Sequence, residues 1–155
     1  VDLIVRGICG LKPGVKGLSE NVSVRSLLGR FLEHSRVYHF QNASRHQRTY
    51  LGSPDWMPRN FFRRVEVAFP IEDEEQETGV IEKLEGYLRD NQFATELKGN
   101  GRYLKVARRN RKPFSIQERL ISESIEASER EELEERLRRS AGKAQNQGKG
   151  DQKDA

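Results

Sequence analysis

The apolar residues of this chain come in short runs, each stopped within a few positions by glycine, proline or charge. Runs of that size suit β-strands better than long core helices. Leu3 to Ile8 reads as a buried strand ended by Cys9-Gly10. Lys12 to Leu18 holds Pro13-Gly14 and Gly17, a loop signature. Val22 and Val24 alternate as in a strand, while Ser26 to Glu33 allows a helical turn. Arg36 to Phe40 and Arg48 to Gly52 read as a hairpin across the polar turn Gln41 to Gln47, and Val65 to Pro70 as a further strand. Glu74 to Asn91 breaks the pattern, because Val80, Ile81, Leu84, Tyr87 and Leu88 recur at helical spacing. Phe93 to Leu97 and Arg102 to Val106 flank Lys98-Gly99-Asn100-Gly101, a second hairpin with Asn-Gly as its turn signal.

From Ser115 to Arg139 the pattern is one long charged helix. Its apolar stripe (Ile116, Leu120, Ile121, Ile125) thins into Glu–Arg pairs at i,i+4, such as Glu132–Arg136 and Glu134–Arg138. Ser140 to Ala155 is polar without period and is expected to be disordered. The expectation is an α/β domain over residues 1–121, a mixed sheet with flanking helices. A charged helical extension over 122–139 and a tail over 140–155 follow it.

A chain of 155 residues is long enough for one domain, but with 34% hydrophobic and 34% charged residues its core is small. Cys9 is the single cysteine, which excludes an intrachain disulfide and a cysteine zinc cluster and fits a reducing, cytoplasmic setting. No apolar stretch approaches the roughly 20 residues of a membrane span, although association at a membrane surface is compatible with that. The chain opens on Val1 inside an apolar run, so it is expected to be a later segment of a longer protein.

The net charge of +4 is unevenly spread. Residues 1–64 hold eleven Lys/Arg against four Asp/Glu, and nine of the eleven are arginine; residues 65–155 hold seventeen against twenty. Arginine presents a planar fork of donors that matches phosphate oxygens. The basic part therefore suits a polyanion: nucleic acid, nucleotide or another phosphate polymer.

Three stretches combine reactive residue types with turn residues. Arg6-Gly7 ends a strand; an arginine there needs a partner, and glycine permits close approach of a ligand. In Leu32-Glu33-His34-Ser35-Arg36, the i,i+2 spacing puts His34 and Arg36 on one face, and histidine can move protons or accept a phosphoryl group near neutral pH. Gly52-Ser53-Pro54-Asp55-Trp56-Met57-Pro58-Arg59-Asn60, followed by Arg63-Arg64, compresses a turn, an acid, an aromatic and several cations into one segment. Alone, each has an ordinary explanation: a structural ion pair for Arg6, a surface or core histidine for His34, and a turn under a packed Trp56 for the third. His39 and His46 carry no partner pattern and read as ordinary.

In order, His34-x-Arg36 and Gly52-Ser53-x-Asp55 resemble a phospholipase D-type half-site. The flanks bring the resemblance much closer to the polyphosphate kinase family. They are Val1-Asp2-Leu3-Ile4-Val5-Arg6-Gly7-Ile8-Cys9, Leu11-Lys12-Pro13-Gly14, Gly17-Leu18-Ser19-Glu20-Asn21, Gly29-Arg30-Phe31-Leu32-Glu33-His34-Ser35-Arg36 and Arg63-Arg64-Val65-Glu66-Val67. Leu88-Arg89-Asp90-Asn91-Gln92 and Ser115-Ile116-Gln117-Glu118 continue it to about residue 121. The resemblance implies the C-terminal catalytic portion of an enzyme that reversibly transfers the terminal phosphate of ATP to polyphosphate, with magnesium and a phosphohistidine intermediate. By that resemblance Arg6 contacts the nucleotide phosphates, His34 is the second active-site histidine and contacts ATP, and Arg63 or Arg64 faces the phosphate tunnel.

The phosphorylated histidine and most of the magnesium-binding residues would lie in an upstream half, in a homo-oligomer with no nucleic-acid partner and no membrane span. Gly10, Pro54, Phe61 and Phe62 depart from the family pattern. Two other readings stay open on the residues: a phospholipase D-like phosphodiesterase, disfavoured by Arg36 where that superfamily has lysine, and a polyanion-binding module without activity.

Overall fold

The computed structural model describes residues 1–41 and 47–147. The chain divides into two compact units, 1–116 and 117–155.

The first unit holds two sheets. In one, β1 (Asp2–Val5) pairs in parallel with β2 (Ser23–Leu27), and β2 pairs antiparallel with β6 (Ala94–Leu97), which pairs antiparallel with β7 (Tyr103–Lys105). The order is β1-β2-β6-β7. A parallel pair needs a crossover of a dozen or more residues, and residues 6–22 supply it. That segment is irregular, with Gly7, Gly14 and Gly17 at positive φ. β1 is shorter than the expected Leu3–Ile8, because Gly7 at φ 126° turns the chain out of the strand. The helical turn allowed at Ser26–Glu33 does not form: Ser26 and Leu27 end β2, buried and paired with Thr95 and Ala94, and residues 28–33 are irregular.

In the second sheet β3 (Val37–Gln41), β4 (Gln47–Gly52) and β5 (Ala68–Pro70) run in the order β3-β4-β5, all antiparallel. Both sequence hairpins are present. The turn of the first, with His46, lies in 42–46, outside the described residues. His39 has the ordinary role expected of it: its Nδ1 is 2.9 Å from Oγ1 of the fully buried Thr49 across the ladder.

Between the sheets' strands lie α1 (Pro58–Arg63) and α2 (Glu74–Arg89). α2 begins at Asp73, whose side chain accepts from Gln76 N at 2.8 Å, and carries Glu74, Glu75 and Glu77 in its first turn, where the helix dipole favours acid. Its end is fixed by Asp90, which is fully buried. Oδ1 of Asp90 accepts from the backbone N–H groups of Gln92, Phe93 and Ala94, and Oδ2 from that of Ile116 at 3.0 Å. Asn91 adds a reciprocal pair with Phe114, N to O at 3.1 Å and Oδ1 from N at 2.9 Å. The Leu88–Gln92 stretch is thus a structural knot that ties helix end, strand start and the segment reaching Ile116. The core beside it is Val24, Leu27, Ala94, Leu97, Val106 and Ile116.

The second unit is described over its helical part. α3 runs Ile116–Gln147, eight residues beyond the Arg139 end expected from sequence, so residues 140–147 are helical where a disordered tail was expected. Glu134–Arg138 and Glu135–Arg139 form i,i+4 ion pairs, and Ile125, Leu133 and Leu137 are exposed. Residues 148–155 lie outside the described residues. Among those described, no helix is long and apolar enough to cross a membrane.

Candidate active site

Arg6 leaves β1 at the turn set by Gly7, whose N–H donates to Ser26 Oγ at 3.2 Å. The Gly52-Ser53 turn closes β4 tightly: a Cβ on Gly52 would stand 3.1 Å from Tyr38 Cε2 and 3.3 Å from Val67 O. Ser53 N donates to that same carbonyl at 2.9 Å and Val67 N to Ser53 Oγ at 3.0 Å. Tyr38 Oη donates to Pro54 O at 2.8 Å. These contacts deliver Asp55 back toward the end of β1.

There Asp55 meets two arginines. Arg6 Nη2 donates to Oδ1 and Oδ2, both at 3.0 Å, and Arg36 Nε donates to Oδ1 at 3.1 Å. Arg6 Nη1 also donates to Glu33 O at 3.2 Å, and Arg36 Nη1 to His34 O at 2.8 Å. The same Nη1 lies 2.9 Å from His34 Nδ1 and 3.3 Å from Nε2. A guanidinium nitrogen in line with one imidazole lone pair would sit far from the other ring nitrogen; being near both, it lies against the ring face, as guanidinium groups stack on rings. Among the described residues no further group bonds to the His34 ring, and the residue is exposed. From below, Tyr87 Oη donates to Glu33 Oε2 at 2.6 Å, and burial together with that carboxylate pushes the phenol well above its usual range.

The hydrogen bond from Arg36, with the nearby charges of Arg36, Arg6 and Arg59, holds the Asp55 carboxyl below its usual range, against an opposing effect of burial. Two guanidinium groups facing one carboxylate leave a positive excess in this cluster.

The structure therefore joins Arg6 and His34 through Arg36 and Asp55. Arg63 and Arg64, the last residue and C-cap of α1, are exposed. Among the described residues neither forms an ion pair or hydrogen bond with this cluster. Sequence reasoning gave no role to Asp55 or Arg59. Asp55 was visible in Gly-Ser-x-Asp, but its partners are 19 and 49 residues away. Trp56 does not pack down as a lid: it is exposed, with its ring 5.9 Å from Tyr38 and 6.2 Å from Phe61.

Comparison with known proteins gives these residues a context. The family model for "Polyphosphate kinase C-terminal domain 2" matches residues 1–117. A polyphosphate kinase of Burkholderia lata is 59% identical over 104 residues, 66% of this chain and 15% of that protein. One from Pseudomonas putida is 48% identical over 122 residues, 78% of this chain and 17% of that protein. The crystal structure of polyphosphate kinase from Porphyromonas gingivalis superposes with a TM-score of 0.73 at 35% identity, covering 83% of this chain and 19% of that one. The chain thus spans less than a fifth of the relatives it matches. The fold is a mixed α/β domain shared with a solved polyphosphate kinase. The chain belongs to the polyphosphate kinase family, to the part that forms its C-terminal domain.

Proposed function

We propose that this chain is the C-terminal catalytic part of an ATP–polyphosphate phosphotransferase, built as a phospholipase D-like half. The observation that carries this reading is the convergence of Arg6, Arg36 and His34 in one basic cluster, in a chain of this family. In this reading the bond between the γ-phosphorus of ATP and the ADP oxygen breaks as a P–N bond forms to a histidine of the upstream half. A terminal oxygen of polyphosphate then displaces that histidine, and the polymer is one phosphate longer; the reverse makes ATP.

Such a transfer asks the protein chiefly for positioning and charge neutralisation. Arg6 binds the nucleotide phosphates with donors it does not spend on Asp55 and Glu33. His34 contacts ATP and offers a hydrogen bond or proton at the transferred group. Arg63 and Arg64 draw the phosphate polymer along the exposed end of α1. Among the described residues no group of three or more His, Cys, Asp or Glu could hold a metal ion, and Asp55 is engaged by two arginines. Magnesium in this reading is held mainly outside this chain. The working form is a cytoplasmic homo-oligomer.

The test is ATP formation from ADP, magnesium and polyphosphate. The purified chain is assayed alone and mixed with the preceding domains of the Pseudomonas putida relative. His34→Ala is expected to lower the rate by about a hundredfold or more; a variant with near-normal rates removes His34 from the mechanism. Salt-sensitive polyphosphate binding without activity, indifferent to His34, would identify a binding module instead.

A further inference from the structure

Asp55 does more in this cluster than complete an ion pair. Its carboxylate takes a hydrogen bond from each of two arginines that leave different parts of the chain, the end of β1 and the residue before β3. The three side chains are only partly exposed, at 28% for Arg6, 17% for Arg36 and 27% for Asp55. Each arginine is pinned at a second point, Arg6 by Glu33 O and Arg36 by His34 O. Two-point anchoring fixes the plane of a guanidinium group as a single bond cannot. Among the described residues, Arg6 Nε and Arg36 Nη2 stay open to a further acceptor. Because Arg36 also lies against the His34 ring, its plane sets where that ring stands.

A purely electrostatic account makes the opposite prediction. A carboxylate beside a phosphate site repels the ligand, so its removal should tighten phosphate binding and harm nothing. A surface ion pair kept only for stability contributes little.

We propose that Asp55 is a positioning residue for phosphoryl transfer: it holds the Arg6 and Arg36 guanidinium planes, and through Arg36 the His34 ring, in reacting geometry at a cost in phosphate affinity. This rests on the phosphotransfer reading above. Asp55 itself touches no reacting atom.

The experiment compares Asp55→Ala with Asp55→Asn in the assembly that forms ATP, using His34→Ala as the inactive control. Alanine is expected to lower kcat about tenfold or more, with KM for ADP and polyphosphate unchanged or lower. Asparagine keeps an acceptor oxygen for both arginines and should restore most of kcat. Alanine that leaves kcat within about twofold of wild type overturns the proposal, and so does asparagine that fails as badly as alanine. Equal loss of kcat and of folded protein, read by thermal melting, would assign Asp55 to stability and overturn it too.

A second measurement needs no turnover. Arginine side-chain NMR of the 155-residue chain, titrated with tripolyphosphate, should shift Arg6 and Arg36 Nε–H signals in the wild type. In Asp55→Ala those signals should broaden when free and be restored by the ligand. Wild-type signals blind to tripolyphosphate would sink the phosphotransfer reading, and this proposal with it. Wild-type signals that respond while Asp55→Ala keeps sharp free signals would sink the positioning role alone.

Discussion

Asp55 and Asp90 are both carboxylates among donors, yet they do different work. Asp55 answers charged side chains in a partly exposed cluster; Asp90 answers backbone N–H groups inside the core. The folded-state pKa of Asp55 is lowered from 3.8, so its ionic contribution to stability is fully present above that value and is lost as pH falls through the folded pKa. Wild type should therefore exceed Asp55→Asn in stability by a constant margin above about pH 5. That margin should close below 3.8, read by urea unfolding across pH. For Asp90 the expectation is larger. Asp90→Ala leaves four N–H groups without their acceptor, and stability should fall by at least about 3 kcal/mol, measured by the same denaturant midpoint. Arg6, His34 and Arg36 stood out in the sequence because reactive types beside glycine and turn residues are conspicuous. Asp55 shows in the sequence only as the acid of Gly-Ser-x-Asp and Asp90 only within Leu88–Gln92, since a carboxylate's role depends on donors that arrive from distant parts of the chain.

Among the elements, the two hairpins, α2 and most of α3 were legible because alternation, helical period and Asn-Gly are local signals. Gly101 indeed takes φ 82° at the second hairpin's turn. α1 was not legible: six residues are too few to show a period, and it starts on Pro58 with no side-chain cap. The proline at the helix start was the one cue present. The end of α3 is not legible in the sequence, because a polar, period-free segment extends a helix as readily as it ends one. Two glycines within α2 make a test at this scale. A Cβ on Gly86 would lie 2.4 Å from Cδ1 of Ile116, which is buried, whereas one on Gly79 meets nothing within 4 Å. Gly86→Ala should destabilise by about 1–3 kcal/mol through overpacking. Gly79→Ala should stabilise by about 0.5–1 kcal/mol through helix propensity. Thermal unfolding of the two single variants should move in opposite directions, and movement in the same direction would contradict the α2 packing described.

Across the first unit as a whole, contacts that define the fold span long stretches of chain. Tyr103 Oη accepts from Cys9 N at 2.8 Å across 94 residues, and the cross-strand partners Arg25 and Glu96 pair at 3.5 Å across 71. Folds built on such pairings close slowly. β2 sits between β1 and β6, so half of its ladder comes from the late part of the sequence. A chain ending at Phe93 should accordingly show no slow hydrogen exchange over Ser23–Leu27, while the 155-residue chain shows it; protection in the shortened chain would mean that β1 suffices. During synthesis, Arg6, His34, Arg36 and Asp55 all leave the ribosome while β2 still presents an open edge beside apolar Val24 and Leu27. An edge of that kind invites pairing with a neighbouring chain. Recovery of this domain from a cell then depends on the interval before residues 94–105 emerge, and slow codons just upstream of them would lower its yield without altering the finished molecule.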